Sequence, residues 1–193
     1  MIRMGILLMD KVPYLLKRNV FSHYNQELIL NELRFLKSIM RGPEFTDSAT
    51  IDNKILKSNK GIFFHHLYNN PSKFSPIWKL CSDKIKKSIV EYREKHMTNR
   101  NIMTINNMWV LASYYEKGDY YLPHRDQTIA TALFWFNEEE FDGGDLTFDD
   151  TNETVKYENN SMIIFPSWAK HGVNKVSHEG RYCVTIGLLA TNK

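Results

Sequence analysis

The sequence predicts a mostly β protein with flanking helices, from three observations. The chain has 193 residues, which suits one ordinary globular domain. Two amphipathic helical segments fall within residues 1–100, and many short β-branched and aromatic runs fall within residues 101–193. Many short strands with turns between them predict a sandwich or barrel. We expect residues 1–100 to form a helical support region and residues 101–193 a β core, within one integrated domain.

Both helical segments show apolar residues at helical spacing. In residues 23–40 these residues share one face, formed by Ile29, Leu33, Leu36 and Met40. The second segment runs from Ser75 to about Met97, with Ser75 as the N-cap and Pro76 at the first helical position. Its apolar face is formed by Trp78, Cys81, Ile85, Ile89 and Tyr92. We assign both helices to the scaffold.

In the C-terminal half, turn-forming sequences separate the apolar runs. They are EKGD (116–119), DGGD (142–145) and ENNS (158–161). So few strands leave one sheet face open, and we expect the helices to cover it.

Composition excludes several classes of protein. Apolar residues make up 42% of the chain and charged residues 24%, which is typical of a globular protein rather than a disordered or fibrous one. The net charge of +3 requires no nucleic-acid partner. Cys81 and Cys183 are the only cysteines, so a disulfide scaffold is excluded and a reducing, cytoplasmic setting is expected. The first apolar run is interrupted by Asp10 and is too short to span a membrane.

The stretch YLPHRDQTIA, residues 121–130, suggests a metal site. Residues two apart in an extended chain point the same way, so His124 and Asp126 can face a common point. The best third ligand is His171, in IIFPSWAKHGV after an apolar strand. Two histidines and one carboxylate form the facial triad that suits non-haem Fe(II) and leaves coordination positions open. Zinc takes the same ligand set in hydrolases.

Arg181 favours iron over zinc. It opens the apolar strand RYCVTIGLL, and its guanidinium matches the geometry of a carboxylate partner. At period two, Thr185 lies on the same face and can add a hydroxyl beside that carboxylate, while Gly187 leaves room. A zinc hydrolase needs no such arginine, whereas an iron enzyme with an anionic cosubstrate does.

The segment from Tyr114 to Ala190 closely resembles the iron and 2-oxoglutarate dependent dioxygenases, in their prolyl 4-hydroxylase-like branch. The matching pieces are YEKGDYYLPHRD (115–126), ALFWFNEEEFDGGDLTF (132–148), IIFPSWAKHGV (163–173) and RYCVTIGLL (181–189). The resemblance implies a double-stranded β-helix, or jelly roll, with the metal site near one open end.

The resemblance also implies roles for individual residues. The iron ligands would be His124, Asp126 and His171. Arg181 would pair with the distal carboxylate of 2-oxoglutarate, and the Tyr115 hydroxyl would point at this cosubstrate. Many relatives have Tyr-Leu-Asn where this chain has Trp135-Phe136-Asn137, so Trp135 would offer an indole N–H or only packing there. Gly143 and Gly144 match a structural turn that needs positive φ.

The implied activity uses Fe(II), 2-oxoglutarate and O₂, with ascorbate as a further reductant. It hydroxylates an unactivated C–H bond, of a prolyl residue in a protein or peptide, and releases succinate and CO₂. A free amino acid or other small molecule is the alternative substrate. A nucleic-acid demethylase is disfavoured, because those typically carry two arginines on the last strand and here no arginine follows Arg181. A non-catalytic jelly-roll binding module is the third alternative. Residues 40–75 are the expected substrate lid.

Overall fold

The computed structural model describes residues 11–96, 105–139 and 142–190. In these ranges the N-terminal half contains β1 (Leu15–Lys17), α1 (His23–Lys37), β2 (Thr50–Ile51), β3 (Lys54–Ile55), β4 (Lys60–Phe63), α2 (Pro71–Phe74) and α3 (Pro76–Lys95). The C-terminal half contains β5 (Asn107–Tyr115), β6 (Tyr121–His124), β7 (Ala130–Asn137), β8 (Leu146–Phe148), β9 (Glu153–Val155), β10 (Ser161–Pro166), β11 (His171–Val173) and β12 (Arg181–Leu189).

Ten of the strands in the described residues form two antiparallel sheets that pack face to face, and β2 and β3 pair with each other as a separate hairpin. The larger sheet has six strands in the order β1-β10-β7-β12-β5-β4, and the smaller has four in the order β6-β11-β8-β9. Trp135 and Cys183 of the larger sheet pack with Leu146, Phe148 and Val173 of the smaller one in a single apolar cluster. This architecture confirms the expected mostly β, double-stranded β-helix fold with flanking helices.

The segment before residue 101 contributes strands as well as helices. β1 pairs with β10, and β4 pairs with β5, so both outer strands of the larger sheet come from this segment. On this pairing we propose that residues 1–100 and 101–193 fold as one integrated domain. In the part of the chain that the structure describes, no helix combines the length and apolarity needed to cross a membrane.

The helices begin where their caps predict. The Ser75 hydroxyl accepts a hydrogen bond from the Trp78 backbone N–H at 2.9 Å, which starts α3 at Pro76. α1 ends at Lys37 rather than at residue 40, and Met40 lies in the following turn. The reason is that Arg41 exchanges backbone hydrogen bonds with Gly61 of β4, which draws the chain into an extended path. Met97, where the second helix was expected to end, lies outside the described residues.

Alternation along β12 separates the two cores. Tyr182, Val184 and Ile186 pack toward the buried faces of α1 and α3. Arg181 and Cys183 face the smaller sheet, where Cys183 joins the second apolar cluster. The helices therefore cover one face of the larger sheet, as expected, and leave the other face for the site. Both cysteines are free and buried, in agreement with the expected absence of a disulfide between them.

Candidate metal and cosubstrate site

Strand pairing brings the two predicted histidines together. His124 ends β6 and His171 begins β11, and the register of these strands places the two residues directly opposite each other. Asp126 follows at the edge of β6, with Oδ1 3.4 Å from His124 Nε2 and Oδ2 3.6 Å from His171 Nε2. All three ligand atoms lie within 4.8 Å of one another. The predicted triad is therefore a compact cluster.

Backbone carbonyls orient both imidazoles. Nδ1 of His124 lies 3.0 Å from the Leu122 carbonyl oxygen, and Nδ1 of His171 lies 3.0 Å from that of Ala169. A carbonyl only accepts, so each Nδ1 carries the proton and each Nε2 presents its lone pair to the centre of the cluster. Burial lowers the pKa of His171 to about 4, which keeps this ring neutral near pH 7. Tyr121 stacks on the His124 ring at 3.6 Å between centroids.

Asp126 is held by a hydroxyl network that sequence reasoning missed. The fully buried Thr131 donates its hydroxyl to Asp126 Oδ2, and its Oγ1 lies 2.9 Å from Ser167 Oγ. Burial raises the pKa of Asp126, but the contact with His124, the positive charges that both histidines carry when protonated, and the Thr131 hydroxyl outweigh burial and lower the pKa to about 2. The sequence did contain a signal for Thr131. Period-two alternation along β7 places it on the same face as Trp135, which was assigned to the site.

Arg181 is a buried cation with no hydrogen-bond acceptor among the residues that the structure describes. It is 0% exposed, and no acceptor among the described residues pairs with its Nε, Nη1 or Nη2. Its guanidinium carbon lies 4.4 Å from the Tyr115 ring centroid and 4.7 Å from that of Tyr157. Gly144 adopts a φ of +67°, and a Cβ there would come within 2.9 Å of the Arg181 side chain. The turn predicted at Gly143 and Gly144 thus has the expected positive φ, and Gly144 also leaves space for the arginine.

The other predicted cosubstrate residues lie around this cation. Trp135 is fully buried, its ring lies 5.5 Å from that of Tyr157, and its indole N–H has no acceptor among the described residues. Arg181 and Trp135 therefore flank the same tyrosine, and both carry unpaired donors. Thr185 and Tyr115 line the neighbouring cavity. Burial raises the pKa of Tyr115, so its hydroxyl stays protonated.

A cavity of about 870 Å³ opens onto the triad. Its walls include all three histidine and aspartate residues of the triad, and residues 46–51 with Leu56, Lys57 and Asn59 from the predicted lid region. Arg181 and Trp135 do not line it; Arg181 lies against the lining residue Tyr115.

The structure corrects one detail around the cavity. The space beside Gly187 is filled by Trp109, because a Cβ at Gly187 would lie 2.1 Å from the indole. Of the aromatic residues near the H-x-D segment, Tyr121 lines the cavity, whereas Trp168 is an exposed residue outside its lining. Arg125 binds Asp150 through two contacts of 2.9 Å and makes no contact with the triad.

Comparison with known proteins connects this geometry to a family. The model of the 2OG-Fe(II) oxygenase superfamily matches residues 109–186. A PKHD-type hydroxylase of Nitrosomonas eutropha is 38% identical over 55 residues, which is 28% of this chain and 24% of that protein. The matched segment therefore spans about a quarter of the length of the curated relatives.

Solved structures match nearly the whole chain. A prolyl-4-hydroxylase of Pseudomonas putida superposes with a TM-score of 0.69 at 12% identity, over 94% of this chain and 95% of that one. A Trichoplax adhaerens prolyl hydroxylase, in complex with a hypoxia inducible factor oxygen degradation domain peptide, gives a TM-score of 0.69 at 15% identity, over 94% and 85% of the two chains. At these identities the likeness establishes the fold. Residues 109–186 are thus similar to the 2OG-Fe(II) oxygenase superfamily, and the jelly-roll fold of this chain is like that of the prolyl hydroxylases.

Proposed function

We propose that this protein is an Fe(II)- and 2-oxoglutarate-dependent dioxygenase that hydroxylates an unactivated C–H bond of a prolyl residue in a protein or peptide, with release of succinate and CO₂. The observation that carries the proposal is the fully buried, unpaired guanidinium of Arg181 close to a cluster of two histidines and one aspartate. A cation in that state needs an anionic ligand.

The donor set fits Fe(II). Nε2 of His124, Nε2 of His171 and one oxygen of Asp126 would hold the metal, and such a triad leaves positions for a cosubstrate and oxygen. When bound, the iron supplies the oxidising chemistry that inserts one oxygen atom into a C–H bond. The chain itself holds the ligand atoms, keeps Asp126 ionised through Thr131, and shields the centre from bulk water.

The donors around Tyr157 fit 2-oxoglutarate. Arg181 offers a forked pair of N–H groups for the distal carboxylate, and the Trp135 indole adds another donor nearby. Tyr115 and Thr185 line the cavity and contribute hydroxyls on the path from the arginine to the metal. A dicarboxylate has enough acceptors to satisfy these groups together, which is why we assign all four residues to cosubstrate binding.

A peptidyl proline as substrate is supported by the fold and by the cavity walls. The likeness to prolyl hydroxylases covers nearly the whole chain, and the Trichoplax enzyme was solved with a peptide. Tyr121, Trp109 and Phe63 line the cavity, and extended proline-containing chains dock well on aromatic surfaces. We also propose that the protein is cytoplasmic, because its two cysteines are free, and that it has no nucleic-acid partner, because its net charge is weak.

The test measures succinate and product mass with Fe(II), 2-oxoglutarate and oxygen. Proline-containing peptides should stimulate succinate formation and gain about 16 Da, the mass of one oxygen, and proline-to-alanine versions should do neither. His171→Ala should abolish turnover, while His178→Ala, at an exposed histidine outside the cluster, should leave it unchanged. Full turnover in His171→Ala refutes the metal assignment. Free proline hydroxylated as well as any peptide refutes the peptidyl substrate.

A further inference from the structure

A buried lysine in the cavity wall has no ion-pair partner within the described ranges of the chain. Lys57 is 5% exposed, follows β3 and bridges through its backbone to Tyr121. Its ammonium has one long contact, 3.4 Å to the Thr46 carbonyl oxygen, and lies 5.3 Å from the Tyr121 ring centroid. An ammonium carries three donors. Most of its hydrogen-bonding capacity is therefore unused in the ligand-free protein.

Packing alone does not account for a lysine at this position. Burial lowers the pKa of Lys57 to about 8, although the charges of Asp126 and Asp47 act in the opposite direction. Neither carboxylate lies within ion-pair distance of the ammonium. A methionine or leucine would fill the same volume without this desolvation cost. The position therefore calls for a ligand that compensates the charge.

Other residues are already assigned to cosubstrate binding. Arg181 and Trp135 present their donors around Tyr157, on strands β12 and β7 of the larger sheet. Lys57 belongs instead to the segment that follows the β2–β3 hairpin, and its ring neighbour Tyr121 stacks on the metal-site residue His124. The lysine thus faces the part of the cavity that lies beside the metal centre and under the lid region.

We propose that Lys57 is a specificity-determining residue that binds a carboxylate of the substrate, close to the carbon that is hydroxylated. The proposal rests on the proposed function and deepens it, because it names the charge of the preferred substrate. The carboxylate has three sources: an acidic side chain next to the target proline, a C-terminal proline, or free proline. All three present the same chemistry to the ammonium.

The experiment compares carboxylate ligands with neutral counterparts on the protein loaded with Mn(II) and 2-oxoglutarate, by isothermal titration calorimetry. The pairs are Glu-Pro and Pro-Glu peptides against their Gln versions, a peptide ending in proline against its amide, and free proline against prolinamide. In the wild type at least one acid should bind about tenfold tighter than its neutral partner, a factor that corresponds to about 1.4 kcal/mol. The pair that shows the preference identifies the source.

Variants assign the preference to this lysine. Lys57→Met should abolish it and Lys57→Arg should retain part of it, whereas Lys60→Met should leave it intact. Lys60 is a matched control, since it lies three residues away, is 47% exposed and pairs with Glu116 at 2.7 Å. No acid preference in any wild-type pair overturns the proposal, as does a preference that survives in Lys57→Met. A loss of 2-oxoglutarate affinity in Lys57→Met overturns it too, because the ammonium would then serve the cosubstrate.

Failure of the prolyl assignment gives a different result. Acidic peptides with alanine in place of proline would keep the Lys57-dependent charge preference, and the proline versions would gain no more oxygen than these alanine versions. In that case the lysine assignment stands and the prolyl substrate is refuted.

Discussion

Replacing Lys57 with methionine should make the metal-free protein more stable. In the unfolded chain the lysine has its ordinary pKa of 10.5, whereas burial lowers this value to about 8 in the folded protein. Folding at neutral pH therefore places a charged ammonium in an environment that disfavours the charge. Methionine has a similar length and no charge, so the substitution removes this unfavourable contribution and sacrifices only a long contact to the Thr46 carbonyl.

The size and pH dependence of this effect follow from the pKa difference. A fall from 10.5 to about 8 is a shift of about 2.5 units, and at 1.36 kcal/mol per unit the destabilisation is about 3 kcal/mol. It is fully present below pH 8, where the lysine is charged in both states. It decreases as the pH rises from about 8 to 10.5, because the folded protein then releases its proton first. Above that range the lysine is neutral in both states and the difference disappears.

The measurement is urea unfolding of wild type, Lys57→Met and the control Lys60→Met, with EDTA, between pH 6.5 and pH 10. We expect the free energy of unfolding of Lys57→Met to exceed that of the wild type by up to about 3 kcal/mol at pH 7. This difference should decrease toward pH 10. Lys60→Met should not show this pattern, since Lys60 is exposed and paired with Glu116. A Lys57→Met variant less stable than the wild type at pH 7, or a gap independent of pH, would refute the reasoning.

Substitutions at two further residues test the cosubstrate and metal contacts. Arg181→Ala should raise the Michaelis constant for 2-oxoglutarate strongly, since breaking a buried charge pair costs about 3–5 kcal/mol, while metal affinity changes little. Arg181→Lys should be intermediate, because it keeps the charge without the fork, and an unchanged constant in the alanine variant excludes Arg181 from the site. Thr131→Val removes the hydroxyl that Asp126 accepts, so Mn(II) affinity measured by calorimetry should fall about tenfold to a hundredfold, with recovery in Thr131→Ser. Equal affinity in the valine variant would mean that the hydroxyl does not position Asp126.

The cluster of His124, Asp126 and His171 was predictable because its signals are local. His124 and Asp126 are two apart on one strand, and period-two geometry alone directs them to one side. His171 follows the apolar strand β10, and antiparallel pairing with β6 brings it opposite His124. Arg181 was predictable for the same reason, since an arginine that opens an apolar strand needs a partner. Arg181 lies on the face of β12 that points away from the helices, and its role in cosubstrate binding stays a prediction.

Lys57 was beyond sequence reasoning, because its environment is set by the tertiary path of the lid region. The segment KSNK contains two lysines with similar local sequence, yet Lys57 is buried and Lys60 is exposed. The difference arises from the β2–β3 hairpin, whose turn residues Asp52 and Asn53 both have positive φ and return the chain toward Tyr121. Tertiary pairing likewise ended α1 early, through the bridge between Arg41 and Gly61.

The buried N–H donors of this protein share one energetic consequence. Arg181, Trp135 and Lys57 each place unpaired or weakly paired N–H groups in the interior, and each lowers the stability of the ligand-free protein. A bound ligand that supplies the missing acceptors offsets this loss of stability. Because only an anion supplies such acceptors with a compensating charge, the buried donors select for anionic ligands. The positions of the donors divide this selectivity between two parts of the molecule: the pair around Tyr157 suits the cosubstrate, and Lys57 beside Tyr121 suits the substrate. With a metal held by His124, Asp126 and His171, the cosubstrate and the substrate would each be bound by a separate cation beside one metal centre. Each carboxylate would then be oriented toward the metal independently, so the two ligands need not contact each other.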